Sequence, residues 1–233
     1  VKHSFTVDKQ ENIARIVKEA FHIATSGRQG PVVIDVPKDL TNPDDLFDFN
    51  YPSKANIRSY NPPTKPENHQ VARAVDAILA AERPVIYAGG GTIASNASDE
   101  LRELNELIDF PVTNTLMGLG VYPGTGKRFL GMLGMHGTYQ ANMAMHNADL
   151  IIAVGARFDD RITNTPEKCA PKAKIIHLDV DHSSVSKIIE ADIAVFGQVK
   201  DSLQAINNYL RSRKDEIKTD KLNPWHDQIS QWR

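Results

Sequence analysis

The stretch Pro84-Val85-Ile86-Tyr87-Ala88-Gly89-Gly90-Gly91-Thr92-Ile93-Ala94 passes from an apolar run into three glycines. The run 84–88 has the length and composition of a strand, and the glycines satisfy G-x-G-x-x-[G/A] where a strand hands over to a helix. Glycines there let backbone N–H groups approach a pyrophosphate closely; the alternative is a tight turn that needs positive φ. Apolar residues at helical spacing predict helices over about 67–81 before this stretch and 98–108 after it, followed by a short strand at 111–114. The rhythm then repeats with helix 137–147, strand 150–154, strand 174–179, helix 183–189, strand 193–196 and helix 199–211. Strands separated by such helices require right-handed crossovers, and these give a parallel sheet covered on both faces. The strands are continuously apolar, as burial on both faces demands. The expected fold class is therefore α/β: a doubly wound, mainly parallel, Rossmann-like central domain, preceded by the tail of another α/β domain.

That tail begins with a helix in which Ile13, Ile16, Val17, Ala20 and Ile23 recur at helical spacing, with Asp8 placed to cap it and Gly27 to stop it. A β-branched run, Pro31-Val32-Val33-Ile34-Asp35-Val36, follows and ends at Pro37. Prolines then recur from Pro43 to Pro66 among Asp and Asn without sustained periodicity, which reads as a linker. At the other end, charged residues 211–221 lead to Trp225 and Trp232. The expected plan is a first-domain remnant at 1–45, a linker at 46–66, a central domain at 67–215, and a linker with the start of a further domain at 216–233.

The 233 residues are 41% hydrophobic and 24% charged, with 27 Lys and Arg against 29 Asp and Glu. A near-neutral chain lacks the basic footprint of a nucleic-acid binder, and no apolar run approaches the ~20 residues that span a bilayer. A single cysteine, Cys169, closes no intrachain disulfide, and the N-terminus has no signal-peptide core, so a cytoplasmic setting is expected. The chain opens without methionine and reads as a piece of a longer one.

In doubly wound folds ligands bind outside the carboxyl ends of the strands. The segments in those places are unusual here. Gly155-Ala156-Arg157-Phe158-Asp159-Asp160-Arg161 concentrates arginines, natural partners of phosphate or carboxylate, with acids that can orient them; the alternative is a surface salt-bridge cluster. Thr115-Leu116-Met117-Gly118 and Leu133-Gly134-Met135-His136-Gly137 bound a long excursion rich in Gly and Met, suited to the wall of a pocket for a flat ring or to ordinary core filling. No acid stands in Pro111–Thr115, where an NAD fingerprint would carry one, but Asp179-Val180-Asp181 follows a later strand and could bind ribose or adenine. For Asp181 the favoured role is to cap the next helix. Other chemistry finds no support. Gly124-Thr125-Gly126-Lys127-Arg128 lacks the first Gly and the final Ser/Thr of a Walker A loop, and neither H-E-x-x-H nor G-x-S-x-G occurs. His177 and His182 lack a third ligand, so no metal site is expected.

Seven blocks, in order, carry a resemblance: Val1-Lys2-His3-Ser4-Phe5, Ser26-Gly27-Arg28-Gln29-Gly30-Pro31-Val32, Asp35-Val36-Pro37-Lys38-Asp39, Ala88-Gly89-Gly90-Gly91, Thr115-Leu116-Met117-Gly118, Met132-Leu133-Gly134-Met135-His136-Gly137 and Arg157-Phe158-Asp159-Asp160-Arg161. By them the chain resembles the catalytic large subunits of the acetolactate (acetohydroxyacid) synthase family. The resemblance implies a thiamine-diphosphate and Mg2+ dependent transferase that decarboxylates pyruvate and joins the two-carbon product to a second 2-ketoacid, beginning branched-chain amino-acid synthesis. It implies three domains, of which only the middle, FAD-binding one is complete here. The thiamine-activating glutamate would lie upstream, and the Gly-Asp-Gly magnesium motif is absent from these 233 residues. The fragment alone is expected to be inactive.

By the same similarity, FAD would be contacted by Arg28, Gly89, Gly90, Gly91, Thr115, Leu116, Met117, Leu133, Gly134, Met135, His136, Gly155, Ala156, Arg157, Asp159, Arg161, Ile162, Asp179 and Val180. Arg161 resembles the catalytic arginine that recognises the second ketoacid's carboxylate, and Lys38, Met135, Asp160 and Arg161 resemble residues of the substrate channel. The flavin takes no net redox part in this family. A homo-oligomer of the parent subunit and a small regulatory subunit are implied as well. Gln29 departs from the usual proline, which leaves the Arg28 loop less rigid, and Phe196-Gly197-Gln198-Val199 lacks the acid often found there, which weakens an adenine site near Gln198. Neighbouring readings are the same domain of pyruvate oxidase or of another thiamine-diphosphate decarboxylase, and a stand-alone nucleotide-binding module.

Overall fold

The computed structural model describes residues 1–163 and 165–233, Glu167 by its backbone alone. It divides into two units, Val1–Pro62 and Pro63–Arg233.

The first unit is one β-α-β crossover. Strand β1 (His3–Thr6) lies parallel to β2 (Val32–Asp35), pairing His3 with Val32 through Thr6 with Asp35, and α1 (Ile13–Thr25) connects them. Helix α1 buries Ala14, Ile16, Ala20 and Ile23, the stripe its spacing predicts. Two details differ from expectation. Asp8 accepts a hydrogen bond from the Asn12 side chain at 2.6 Å rather than capping backbone N–H groups, and a 3-10 turn over Gln10–Asn12 opens the helix instead. Strand β1 was hidden because His-Ser-Phe-Thr shows no apolar alternation and is largely exposed. The turn after α1 is closed by Lys2, whose ammonium donates to the Ser26 carbonyl and the Tyr60 hydroxyl, both at 2.6 Å, satisfying groups at the helix end.

The second unit is a six-stranded, wholly parallel sheet. In chain order its strands are β3 (Pro84–Ala88), β4 (Val112–Asn114), β5 (Phe129–Met132), β6 (Leu150–Val154), β7 (Lys174–Asp179) and β8 (Ile193–Phe196); in space they run β5-β4-β3-β6-β7-β8. Alternate side chains sort to two cores, as the period of two demands. Ile86, Ile152, Val154, Ile176 and Leu178 meet α2 (Asn68–Ala80), α4 (Ser98–Ile108) and α7 (Val199–Ser212). Val85, Tyr87, Ile151, Ala153 and Ile175 meet α5 (Tyr139–Asn147) and α8 (Asn223–Ser230). Two short helices, α3 (Gly90–Ala94) and α6 (Asp160–Thr163), follow β3 and β6 directly. The expected α/β fold with a doubly wound parallel sheet is what the chain adopts.

Three segments depart from the expected elements. Strand β5 lies inside the supposed excursion; Gly131, at φ +89°, and a shifted register against β4 disguise it. The expected helix 183–189 is a series of turns: the Asp181 carboxylate accepts from the Ser183 N–H and hydroxyl and the Ser184 hydroxyl, and Ser186 takes φ +59°. Local side-chain bonds of this kind outcompete helix. Asp181 thus closes a turn instead of capping a helix. Residues 216–233, expected to be a linker and the start of a further domain, pack here with the second unit. Trp225 is 2% exposed in the α5 core and donates from Nε1 to the Pro84 carbonyl at 3.0 Å.

Candidate functional site

The glycine turn is explained by packing. Gly89 has φ −113°, and Gly90 and Gly91 open α3, so positive φ is not the reason for these glycines. A Cβ on Gly89 would stand 2.2 Å from the Gly155 carbonyl oxygen, and one on Gly91 2.8 Å from the Gly155 Cα. The turns after β3 and β6 are pressed together at the point where strand order reverses, the usual ligand crevice of such sheets. This contact uses up donors. The Gly89 N–H bonds to the Val154 carbonyl at 2.9 Å and the Gly91 N–H to the Gly155 carbonyl at 3.0 Å, so these two amides serve the protein rather than an incoming pyrophosphate.

Beside this seam, Thr115 donates from its N–H to the Ala88 carbonyl and accepts from the Gly118 N–H through its hydroxyl. The short turn so formed displays Leu116 and Met117, 68% and 75% exposed. After β5, Gly134 (φ +102°) is held on both sides by Asn142 of α5, whose Oδ1 accepts from the Gly134 N–H at 3.0 Å while Nδ2 donates to its carbonyl at 3.1 Å. The next N–H, that of Met135, donates to the Arg161 carbonyl at 3.1 Å, which ties the β5 and β6 loops together. Met135 is 69% exposed and His136 is exposed.

The loop after β6 hangs on Phe158. This residue takes φ +56°, uncommon for a bulky side chain, and buries its ring between Tyr87 (5.4 Å) and His177 (5.6 Å), over Ala153, which lies in register between them. Its neighbours therefore face outward. Arg157 donates to Asp159 at 2.9 Å, and Asp160 accepts from the Arg161 N–H at 2.9 Å; Arg157, Asp159, Asp160 and Arg161 are all exposed. Burial pushes the Tyr87 hydroxyl up, helped by Asp159, and pushes His177 down, partly offset by Asp179 at 3.9 Å and the Ala156 backbone. Both groups stay neutral under the loop. At the end of β7, Asp179 is buried and accepts from the Asp181 N–H, with Val180 half-buried beside it.

The structure thus gathers Gly89–Gly91, Thr115–Met117, Leu133–His136, Gly155–Arg157, Asp159–Ile162, Asp179 and Val180 along one rim of one sheet. Arg28 and Lys38 belong to the first unit, where both are exposed. Sequence reasoning did not single out Asn142, Phe158, Tyr87 and His177 as supports of this rim. Their roles come from contacts across the fold, although the small Ala153 between larger neighbours was a visible signal.

A family profile described as the central domain of thiamine pyrophosphate enzymes matches residues 71–206, more than half of the chain. The chain belongs to this family. As such a central domain, it is similar along its whole length to the acetolactate synthase large subunit of Buchnera aphidicola subsp. Acyrthosiphon pisum, 49% identical over 233 residues and 40% of that protein. The acetolactate synthase isozyme 3 large subunit of Escherichia coli and the acetolactate synthase large subunit of Haemophilus influenzae are each 46% identical over the same 233 residues, 41% and 40% of those proteins. The central domain and its flanks therefore span about two fifths of the length of these relatives. Among the described residues no helix is long and apolar enough to cross a membrane.

Proposed function

We propose that the chain is the central part of an acetolactate synthase large subunit and that its strand-end rim holds FAD. The observation that carries this reading is the mixture on one rim: exposed Leu116, Met117 and Met135 beside the guanidinium groups of Arg157 and Arg161. Large apolar side chains left in water beside cations suit a ligand with a flat apolar ring and an anionic linker. With the Gly89 and Gly91 N–H groups bonded to the Val154 and Gly155 carbonyls, Arg157 and the Gly90 N–H, at the start of α3, would meet the diphosphate. Asp179 and Val180, at the end of β7, would meet the ribose or adenine.

Arg161 would bind the carboxylate of the second 2-ketoacid, and its carbonyl bond to the Met135 N–H makes one body of the two loops that would line the channel. Asp160 would line the same approach. In the parent enzyme thiamine diphosphate with Mg2+ would supply the electron sink for decarboxylating pyruvate. These 233 residues contain no Gly-Asp-Gly to hold that group. A homo-oligomeric catalytic subunit with a small regulatory partner, in the cytoplasm, completes the proposal.

Flavin fluorescence titration of the protein with FAD, NAD and ADP in competition tests the rim. FAD should bind preferentially, and Arg157→Ala should weaken it about tenfold or more, the worth of a charge-assisted contact. Preference for NAD would favour a stand-alone nucleotide module. For the full-length parent, carboligation of pyruvate supports the synthase, and peroxide release supports the pyruvate oxidase reading.

A further inference from the structure

Helix α5 packs on the face of the sheet, yet the side chain of its Asn142 is spent on the backbone of the β5 loop. Oδ1 accepts from the Gly134 N–H at 3.0 Å, while Nδ2 donates to the Gly134 carbonyl and to that of Thr138, the N-cap of its own helix, both at 3.1 Å. The grip has a firm base. Thr138 caps α5 by accepting from the Ala141 N–H, its own N–H donates to the Met132 carbonyl of β5 at 2.9 Å, and Ala141, Ala144 and Met145 are buried. The Gly134 carbonyl also accepts from the Gly137 N–H at 2.9 Å, so two donors hold this one oxygen.

What is held is a peptide plane. The Gly134 carbonyl and the Met135 N–H belong to one planar unit and point in opposite directions, so fixing the oxygen aims the N–H. Its target is the Arg161 carbonyl at 3.1 Å. That carbonyl needs an outside donor, because α6, Asp160–Thr163, is a single turn that offers it no N–H four residues on. The Arg161 N–H is taken by the Asp160 carboxylate at 2.9 Å. The two loops are also in close contact: with φ +102° at Gly134, a Cβ there would stand 2.8 Å from the Arg161 carbonyl oxygen and 3.0 Å from Ile162 Cγ1. The place of Arg161 in the rim therefore depends on a plane that Asn142 orients.

We propose, resting on the assignment of Arg161 to the second 2-ketoacid, that Asn142 is a positioning residue of that subsite: through the Gly134–Met135 peptide it sets where the Arg161 guanidinium meets the acceptor's carboxylate. A guanidinium binds a carboxylate through two parallel bonds, and such a fork tolerates little displacement of the backbone it grows from. Losing the Nδ2 donation frees the plane to turn and the Met135 N–H to leave Arg161. Decarboxylation of the first pyruvate precedes acceptor capture and does not draw on Arg161. The effect of Asn142 is confined to the second substrate.

Asn142→Ala, which drops every bond of the side chain, and Asn142→Asp, which keeps an acceptor for the Gly134 N–H but loses the Nδ2 donor, test the proposal in the full-length enzyme at saturating FAD. With pyruvate fixed and a four-carbon 2-ketoacid varied as acceptor, both variants should raise the acceptor KM about tenfold, within what a displaced positioning group costs. CO2 released in the first turnover should stay within about twofold, because only acceptor binding is lost. In the protein without cofactors, amide exchange at Met135 should quicken about tenfold in both variants, with the core indole N–H of Trp225 unaltered. Arg161→Gln supplies the reference, and its acceptor KM should rise at least as far. An unchanged acceptor KM in Arg161→Gln would remove the reading of Arg161 and the proposal with it. A raised KM in Arg161→Gln but not in the Asn142 variants would overturn the positioning role alone, as would equal losses of first-turnover CO2 and acceptor capture.

Discussion

Gly89 and Gly124 are both glycines of the second unit, and their surroundings could hardly differ more. A Cβ at Gly89 would collide with the Gly155 carbonyl oxygen at 2.2 Å and the Ala156 Cα at 2.7 Å, whereas at Gly124 nothing lies within 4 Å. Gly89→Ala should therefore cost about 2–3 kcal/mol or prevent folding, as overpacking against fixed backbone does. Gly124→Ala should leave stability within about 1 kcal/mol. Urea denaturation of both variants checks this, and equal midpoints would contradict the packed seam. The glycine triplet was legible in the sequence, but its reason was not, because the atoms that demand it belong to a turn some 66 residues away. The buried histidines add a pH dependence. In the unfolded chain both protonate near 6.5, while the folded protein keeps His177 and His226 neutral further down, His226 to about 4. The unfolded state then binds more protons between those values, so stability is full above about 6.5 and falls as pH drops toward 4. His226→Gln should flatten part of that slope in denaturation curves taken across this range; an unchanged slope would mean the imidazole is not buried as described.

At the scale of elements, what was readable followed the apolar period. Strands β3, β6, β7 and β8 and helices α2, α4 and α7 announce themselves through runs or stripes of buried residues. Strand β5 did not, because Gly131 and a register shift break it, and residues 183–189 misled because serine and aspartate side chains there bond the backbone and one another into turns. Helix α8 has few apolar residues, and its importance rests on one side chain. Trp225 fills the α5 face of the sheet and ties α8 to the Pro84 carbonyl at the head of β3. Trp225→Ala should destabilise the second unit by about 3–5 kcal/mol, the cost of an unfilled large core cavity. Calorimetry checks it; a loss below 1 kcal/mol, about the worth of the indole hydrogen bond alone, would show α8 to be an appendage.

Over the molecule as a whole, one sheet edge collects residues that the sequence scatters from Gly89 to Val180. That the candidate site lies there was legible, since ligand positions in this architecture follow from strand direction. How it is held was not. Asn142 clamping Gly134, the Met135 bond to Arg161, and Phe158 wedged between Tyr87 and His177 are contacts between elements far apart in the chain. They give the rim a fixed frame beneath exposed apolar and cationic side chains, the arrangement a preformed cofactor site requires. A crystal structure determined with FAD tests this most directly. The account predicts flavin dinucleotide density along the carboxyl ends of β3–β7, with the ring against Leu116, Met117 or Met135 and the diphosphate against Arg157. Density on any other face of the sheet, or a rim that stays bare at saturating FAD, would contradict it.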